Sequence, residues 1–453
     1  VFPALLAVFS FLPDNGRRRR FAAALALSAA CYVCGALSYA RFEHGYHRVR
    51  SRAIEGGARP VALAGSVAGF PTHRPGSVRF RFDTSLNGQP LTVLASTTAF
   101  GLGFGDSLVL TGKLSSGRYD RRGYLQSQGA SGYLRVPTGN VTELPDGQTT
   151  AWAAGRIAWR AHDSVRRRLA RNLGARAGLP TALSIGERGR VPRRVNTAFA
   201  RLGTSHLLAL SGMHLGMIAA AALGLLRLAG RRNKWVLLPL LAAYVFVVGR
   251  VVSLYRAYAL AAVMIVSSRT ERPIDAVHGL GVALFVLLAA QPGLVHSVAF
   301  QLSFTATLGV LIGATRMRRR AGGTRLRRVA TTALSALAVG ICAQIFLLPL
   351  QLRYFGGVTP ITPAATLVLV PPVAAVMLLT GIALAADLLL PPLSGVAFAA
   401  LGGFVGVFER TVVAVSMWMP APIDLPAPNT ILYYSALGVC LKIFDAVFRR
   451  PVL

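Results

Sequence analysis

The chain has 453 residues, of which 53% are hydrophobic and only 14% charged, and its mean hydropathy is +0.53. Soluble domains carry about 25% charged residues, so the composition excludes an ordinary soluble protein and describes a membrane protein with limited aqueous mass. The net charge is +33, carried almost wholly by arginine because lysine is confined to Lys113, Lys234 and Lys442; such an excess implies a polyanionic partner, anionic lipid or nucleic acid.

The chain does not open on methionine, and the apolar run over residues 1–12 falls short of the ~20 residues of a membrane span. It is expected to be a truncated helix. An arginine block, Arg17 to Arg20, precedes a full span over 21–40. With the block on the cytoplasmic side, that span leads outward, and residues 1–50 form an N-terminal transmembrane unit. Cys31 and Cys34 lie inside the apolar span with no second pair, so plain packing is expected of them.

From residue 58 to 140 the character changes. Residues 61–70, 77–86, 90–97 and 107–114 alternate or carry β-formers. Asn87 and Gly88 between two of these runs are a strong hairpin signal, and Gly103, Gly105 and Asp106 mark another turn. Five or so short strands predict a small barrel of the OB type. Between Gly56 and Pro137 there are nine basic residues against three acidic. Barrels of this type bind single strands through basic grooves and stacked aromatics. Aromatics are sparse here (Phe70, Phe80, Phe82, Phe100, Phe104), so a spacer with ordinary surface charge is the other reading.

Residues 150–205 are expected to be helical without crossing the membrane. Trp152, Ile157, Trp159, Val165 and Leu169 recur at helical spacing, with Arg156, Arg160, Arg166, Arg167 and Arg168 between them. That pattern describes an amphipathic helix lying on a bilayer or on other helices. The region holds twelve arginines and two acids, Asp163 and Glu187. Placed outside the cytoplasm, where the positive-inside rule gives no reason for the excess, the five named arginines are candidates for a basic funnel ahead of a pore. A solvated face touching lipid headgroups is the alternative.

Apolar spans are predicted over 206–228, 235–249, 254–268, 276–291, 297–315, 329–352, 361–386, 393–418 and 430–448. With the soluble region outside and strict alternation, the inside loops carry Arg231, Arg232 and Lys234, then Arg269 and Arg272, then seven arginines over 316–328, then Arg449 and Arg450. The outside loops 291–297 and 419–429 carry no Lys or Arg, as the positive-inside rule requires. The pair over 235–268 reads equally as one broken or re-entrant unit around Gly249. The expected fold class is a polytopic α-helical membrane protein of about 10–11 spans with an inserted, small, OB-like β-barrel domain outside the cytoplasm. Four regions follow: 1–50, 58–140, 150–205, and a transmembrane domain over 206–453.

Ionisable groups inside spans are costly and are candidates for function. Arg256 is one, although near a span start it also has the option of snorkelling to the interface. Gln301 and Ser303 sit in a Phe-Gln-Leu-Ser-Phe run; buried Gln and Ser also tie helices together. His206 and His214 are eight apart, about 80° on an ideal helix, with no i+4 ligand or carboxylate cluster, so no metal is expected. Ser205, Ser211 and Gly212 let the helix begin late or unwind, which would expose backbone amides to passing anions.

Gly186, Glu187 and Arg188, followed by His206, Leu207, Leu208, Ala209, Leu210, Ser211, Gly212, Met213 and His214, resemble the core motif of the ComEC-type competence proteins, Gly-Asp/Glu-Arg and then His-Leu-Leu-Ala-Ile-Ser-Gly-Leu-His. Further matches follow in order. The segment from Tyr119 to Leu125 is similar to that family's Phe-Asp-Tyr-x-x-Tyr-Leu, and Ser253 to Ala257 to its Ser-x-x-Arg-Ala. The run around Gln301 resembles its Phe-Gln-Leu-Ser-Phe, and Gln344 and Pro349 fall where it has a polar residue and a proline. Thr366 stands where an Asn is expected, which removes support for a specific contact there.

The resemblance implies an inner-membrane channel that admits single-stranded DNA in natural transformation, with the barrel outside. It implies a path past Glu187, Arg188, His206, Ser211, Gly212, His214, Arg256, Gln301, Ser303 and Gln344, and no cofactor or catalytic residue. Its partners would be single-stranded DNA, membrane lipids, a DNA receptor, a separate nuclease and a cytoplasmic translocase. The His-x-His-x-Asp-His motif of longer family members does not occur, and neither does Gly-x-x-x-x-Gly-Lys-Ser/Thr; no nuclease activity is expected of this polypeptide, and the driving force would come from elsewhere. Two rivals stand beside this reading. One is a transporter of a small solute or lipid-linked glycan, which the charge of +33 fits less well. The other is an intramembrane hydrolase using Ser211 and His214, for which no Gly-x-Ser-x-Gly elbow and no His-Glu-x-x-His is found.

Overall fold

The computed structural model describes residues 60–115 (less 75, 87 and 100), 125, 128, 130–144 (less 138), 153–228, 230, 234–268 (less 250), 274–316, 325–448 (less 421) and residue 40. The expected spans before residue 50 lie outside the described residues. So do Cys31 and Cys34, most of the segment from Tyr119 to Leu125, and most of the basic loops.

Strands β1 (Pro60–Val67), β2 (Thr72–Arg74), β3 (Ser77–Leu86), β4 (Gln89–Thr97), β5 (Ser107–Ser115), β6 (Gly132–Arg135) and β7 (Val141–Glu143) make one sheet. Its order is β1-β3-β4-β6-β5, and β1 pairs with β5 to close a five-stranded barrel, with β4 and β6 parallel and the other pairs antiparallel. This is an OB-like barrel. The period-2 pattern of β3 sends Val78, Phe80 and Phe82 into a core with Leu63, Val93, Leu108 and Leu110. The hairpin expected at Asn87 and Gly88 is present: Leu86 pairs with Gln89 across a two-residue loop, and Gly88 has φ 74°. Strands β2, β6 and β7 were not legible, because three or four residues carry no alternation to read.

Next come α1 (Ala153–Leu173), α2 (Gly178–Ile185) and α3 (Arg193–Arg201). After them lie α4 (Gly212–Leu228), α5 (Leu237–Val248), α6 (Val252–Ser267), α7 (Ala276–Ala290), α8 (Val298–Arg316) and α9 (Arg325–Phe355). The last are α10 (Thr362–Leu389), α11 (Pro391–Met417) and α12 (Thr430–Phe448). Each span predicted between 206 and 453 coincides with one helix of α4 to α12. Among the described residues four, α8 to α11, are long and apolar enough to cross a membrane. Only 17% of the apolar window of α9 and 28% of that of α10 is buried inside the protein. Apolar helices left this uncovered need a non-aqueous surrounding. Helix α5, with 12 residues, rises about 18 Å against a hydrocarbon core of about 30 Å. With α6 it forms a hairpin turning at Gly249, whose φ is 86°.

Loops expected on one side of the membrane meet in the structure. Strand β8 (Gly357–Val358), after α9, pairs with β9 (Ile423–Asp424), after α11. Gln301 donates to Val295 O at 2.7 Å and accepts from Tyr354 Oη at 2.7 Å, joining the start of α8 to the end of α9. Ser253 Oγ donates to Leu210 O, tying the starts of α6 and α4. The Arg168–Asp387 pair departs from that pattern, joining the region expected outside to the 387–392 connection that strict alternation puts inside.

The region over 153–208 is a wall of the transmembrane unit. Leu169, Leu179, Leu183, Val195, Phe199 and Leu207 share one core with Leu369, Val373 and Val376 of α10 and Leu401, Val405 and Phe408 of α11. Gly203 lies against Thr362 at one end of α10, and Arg168 pairs with Asp387 near the other. Of the two placements open to the amphipathic helix, bilayer or other helices, the structure has it on other helices.

Candidate functional site

The loop after α2 is where the barrel, the basic helices and the helix mouth meet. Helix α2 stops at Gly186, whose φ of 81° is a left-handed C-cap. The chain then turns through Glu187 into a 3-10 turn, Arg188–Arg190. Glu187 is 4% exposed. Its Oε1 accepts the backbone N–H of His73 at 3.0 Å and lies 3.0 Å from His73 Nδ1, so a barrel loop is clamped to this turn. Gly189 permits the approach: a Cβ there would stand 1.7 Å from His73 O. Arg188 itself is exposed.

A second, aromatic contact holds the same seam. Phe70 of the barrel meets Phe104, Trp159 and His162 at centroid distances of 5.7, 5.4 and 5.3 Å. His162 stacks on Trp159 and bonds Val247 O at 3.0 Å. Burial pushes the His162 imidazole below its usual range, and the bond to Val247 O opposes this only in part. A Cβ on Gly249 would strike the Phe70 ring at 2.7 Å, so the α5–α6 turn sits directly beneath the barrel.

The five candidate funnel arginines are not equivalent. Arg166 and Arg167 share Asp163, with Arg166 Nε at 2.8 Å and Arg167 at 2.9 Å, and Arg168 is taken by Asp387. Arg156 and Arg160 make no ion pair among the described residues.

The helix mouth starts later than 206. Ser205–Leu207 is a 3-10 turn and helix begins only at Gly212. His206 is therefore exposed in the turn while His214 is fully buried on the helix, and the angle expected from an ideal helix does not apply. His214 Nδ1 accepts the backbone N–H of Ser211 at 3.1 Å, with Ser211 Oγ also at 3.0 Å. Acceptance at Nδ1 fixes the proton of the neutral ring on Nε2, a buried donor with no partner. A serine hydrolase needs its base oriented by a third group on the other ring nitrogen. Here that nitrogen is empty, so the pair works as a cap.

Gly212 faces Arg256, whose Nη2 would lie 3.3 Å from a Cβ there. Arg256 is 7% exposed and does not snorkel. It donates to Ser303 O at 2.9 Å and its guanidinium lies 5.8 Å from the centroid of Phe304, while its Nε has no partner. Helices α4, α6 and α8 thus meet at one cation. Gln301 is committed to Val295 and Tyr354, which ties α8 to α9, whereas Gln344 donates to Gln351 Oε1 at 2.6 Å within α9 itself.

The sequence reading missed several participants. His73 and Asp163 gave no motif. Glu409 of α11, 6% exposed, faces the charges of Arg194 and Arg176 and leaves Oε1 without a hydrogen bond. Its signal was a Glu-Arg pair, Glu409 and Arg410, within a mostly apolar span. Gly402 and Gly406, one helical turn apart, let Arg176 lie against α11, with its guanidinium carbon 3.3 Å from where a Gly406 Cβ would be.

A family model described as Competence protein matches residues 183–446, more than half of the chain and inclusive of the Glu187 turn and helices α4 to α11. ComE operon protein 3 of Bacillus subtilis (strain 168) is 28% identical over 197 residues, which are 43% of this chain and 24% of that protein. The chain therefore matches about a quarter of the length of that curated relative. No solved structure matches.

Proposed function

The chain belongs to the competence protein family, and on that premise we propose that this membrane protein forms the inner-membrane channel through which single-stranded DNA enters during natural transformation, with the barrel and the basic helices on the outer side. The observation that carries the reading is the Glu187 turn. It lies inside the family match, holds the OB-like barrel through His73, and leads in 27 residues through Ser211 and Gly212 to His214, with Arg256 packed against Gly212. A strand bound at the barrel would be delivered to that mouth without crossing open solvent.

At the mouth, His214 Nε2 and Arg256 Nε are buried donors without partners. An unmet buried donor costs about 1–3 kcal/mol, and passing phosphate oxygens or water would relieve it. Arg188 and His206, both exposed, would meet the strand earlier. Gln301 would join α8 to α9 beside the path, Ser303 would hold Arg256 through its carbonyl, and Gln344 would brace α9 internally through Gln351. Transport in this reading is non-enzymatic, with pulling force, receptor and nuclease supplied by partners.

The test is binding of fluorescent single-stranded DNA to detergent-purified protein over a salt series, beside duplex DNA and heparin. Preference for single strands with a steep salt dependence is expected. Equal binding of all polyanions, or none at low salt, would overturn the reading, and the latter would favour a small-solute or lipid-linked glycan transporter.

A further inference from the structure

A cavity of about 490 Å³ lies in the seam between the barrel and the helices. Arg74 at the end of β2, Arg166 of α1 and Arg190 of the 3-10 turn line it, with His73, Gly101 and Gly174. We infer that this cavity is a phosphodiester-binding site, which holds a short stretch of strand backbone ahead of the helix mouth. The inference rests on the uptake reading above and locates its first contact.

Three guanidinium groups and no carboxylate line the cavity. The two nearby acids are already engaged. Asp163 holds Arg166 and Arg167, and Glu187 holds His73 through Oε1 while its Oε2, without a hydrogen bond, lies 4.0 Å from Arg166 Nε. Arg166 is therefore fixed in place with its charge largely offset. Arg74 and Arg190 are exposed and make no ion pair among the described residues. Like charges brought to one concavity repel, and an anion is the ligand that relieves them; the guanidinium fork matches the oxygens of a phosphate. Part of the wall is bare backbone. Gly101 and Gly174 have φ of 94° and 54°, and a Cβ at either would meet nothing within 4 Å, so a ligand can approach the main chain there. The volume lies in the range of small-ligand pockets, about 300–1,000 Å³, and exceeds what a single phosphate fills.

The experiment uses the full chain in detergent with three probes: a fluorescent oligothymidylate, the same backbone with abasic residues, and inorganic pyrophosphate. Arg74→Gln with Arg190→Gln removes two charges at the cavity. Lys113→Gln with Arg135→Gln removes two from a neighbouring pair on β5 and β6, both exposed. Ala175→Trp, at the cavity wall, fills it without changing charge. The cavity double variant is expected to lower the slope of log affinity against log salt by about 1.4, at about 0.7 per phosphate on a single strand. Ala175→Trp should weaken binding in parallel, the barrel-surface pair should change it less, and the abasic strand should bind as the oligothymidylate does. If the parent binds single strands steeply and both cavity variants match it, the cavity inference falls while the uptake reading stands. Equal loss in the two double variants with none in Ala175→Trp means bulk charge and also overturns it. Cavity-dependent binding of pyrophosphate without any binding of strands sinks the phosphodiester assignment together with the uptake reading.

Discussion

Gly189→Ala tests whether the barrel is clamped to the Glu187 turn as described. The added methyl would stand 1.7 Å from His73 O and 2.9 Å from His73 C, so the two backbones must separate by more than an ångström. His73 N and Nδ1 each lie 3.0 Å from Glu187 Oε1, and such a shift takes both beyond hydrogen-bonding distance. Hydrogen bonds to charged groups contribute about 1.5–3 kcal/mol each. The loss is thus roughly 3 kcal/mol or more, a factor above 100 in the docked fraction, resisted only by the aromatic contact around Phe70. Trp159 reports the outcome because it is 8% exposed and stacked at that contact. With Trp152, Trp235 and Trp418 replaced by Phe, acrylamide quenching of Trp159 should rise in Gly189→Ala and its emission should shift to the red. Gly224→Ala, where a Cβ meets nothing within 4 Å, should leave both unchanged. Quenching in Gly189→Ala equal to that of the parent would refute the clamp.

Other outcomes follow from the same geometry. The folded His162 imidazole has its pKa lowered by burial, so the unfolded chain binds the extra proton. Stability is then full above the unfolded value near 6.5 and falls as pH drops from there toward the folded value; His162→Gln should flatten melting temperature against pH below 6.5. Asp275 caps α7 by accepting from Val277 N and His278 N, both at 2.9 Å. Asp275→Ala should cost about 0.5–2 kcal/mol, read as faster amide exchange in the first turn of α7, while Asp275→Asn should behave as the parent. Arg256→Met should insert normally but lose about 1.5–3 kcal/mol with the bond to Ser303 O and abolish DNA uptake in a transformation assay; unchanged uptake would remove Arg256 from the path. Gly406→Leu would push Arg176 off α11 and cost about 1–3 kcal/mol, measurable as a lower melting temperature in detergent.

The helices from 212 onward were legible because apolar length survives in the sequence, although only α8 to α11 are long and apolar enough to cross a membrane among the described residues. The barrel was legible where strands are long enough to alternate, as β3 and β4 are, and illegible at β2, β6 and β7. What the sequence hid is the docking. Nothing in the local pattern of His73 points to Glu187, 114 residues away. The motif that drew attention to Gly186, Glu187 and Arg188 marks the turn against which the barrel loop packs. Glu187 reaches the barrel through Oε1 and faces Arg166 with Oε2, and the exposed cations of the seam, Arg74 and Arg190, come from two segments no motif connects. The pairing of the candidate funnel arginines was hidden for the same physical reason. An arginine count along α1 treats each charge as free, whereas Asp163 and Asp387 take three of the five. Charge counted along a chain predicts that a polyanion binds. Where it binds depends on which cations the fold leaves uncompensated, and two of these, Arg74 and Arg190, line the cavity where the barrel meets the helices.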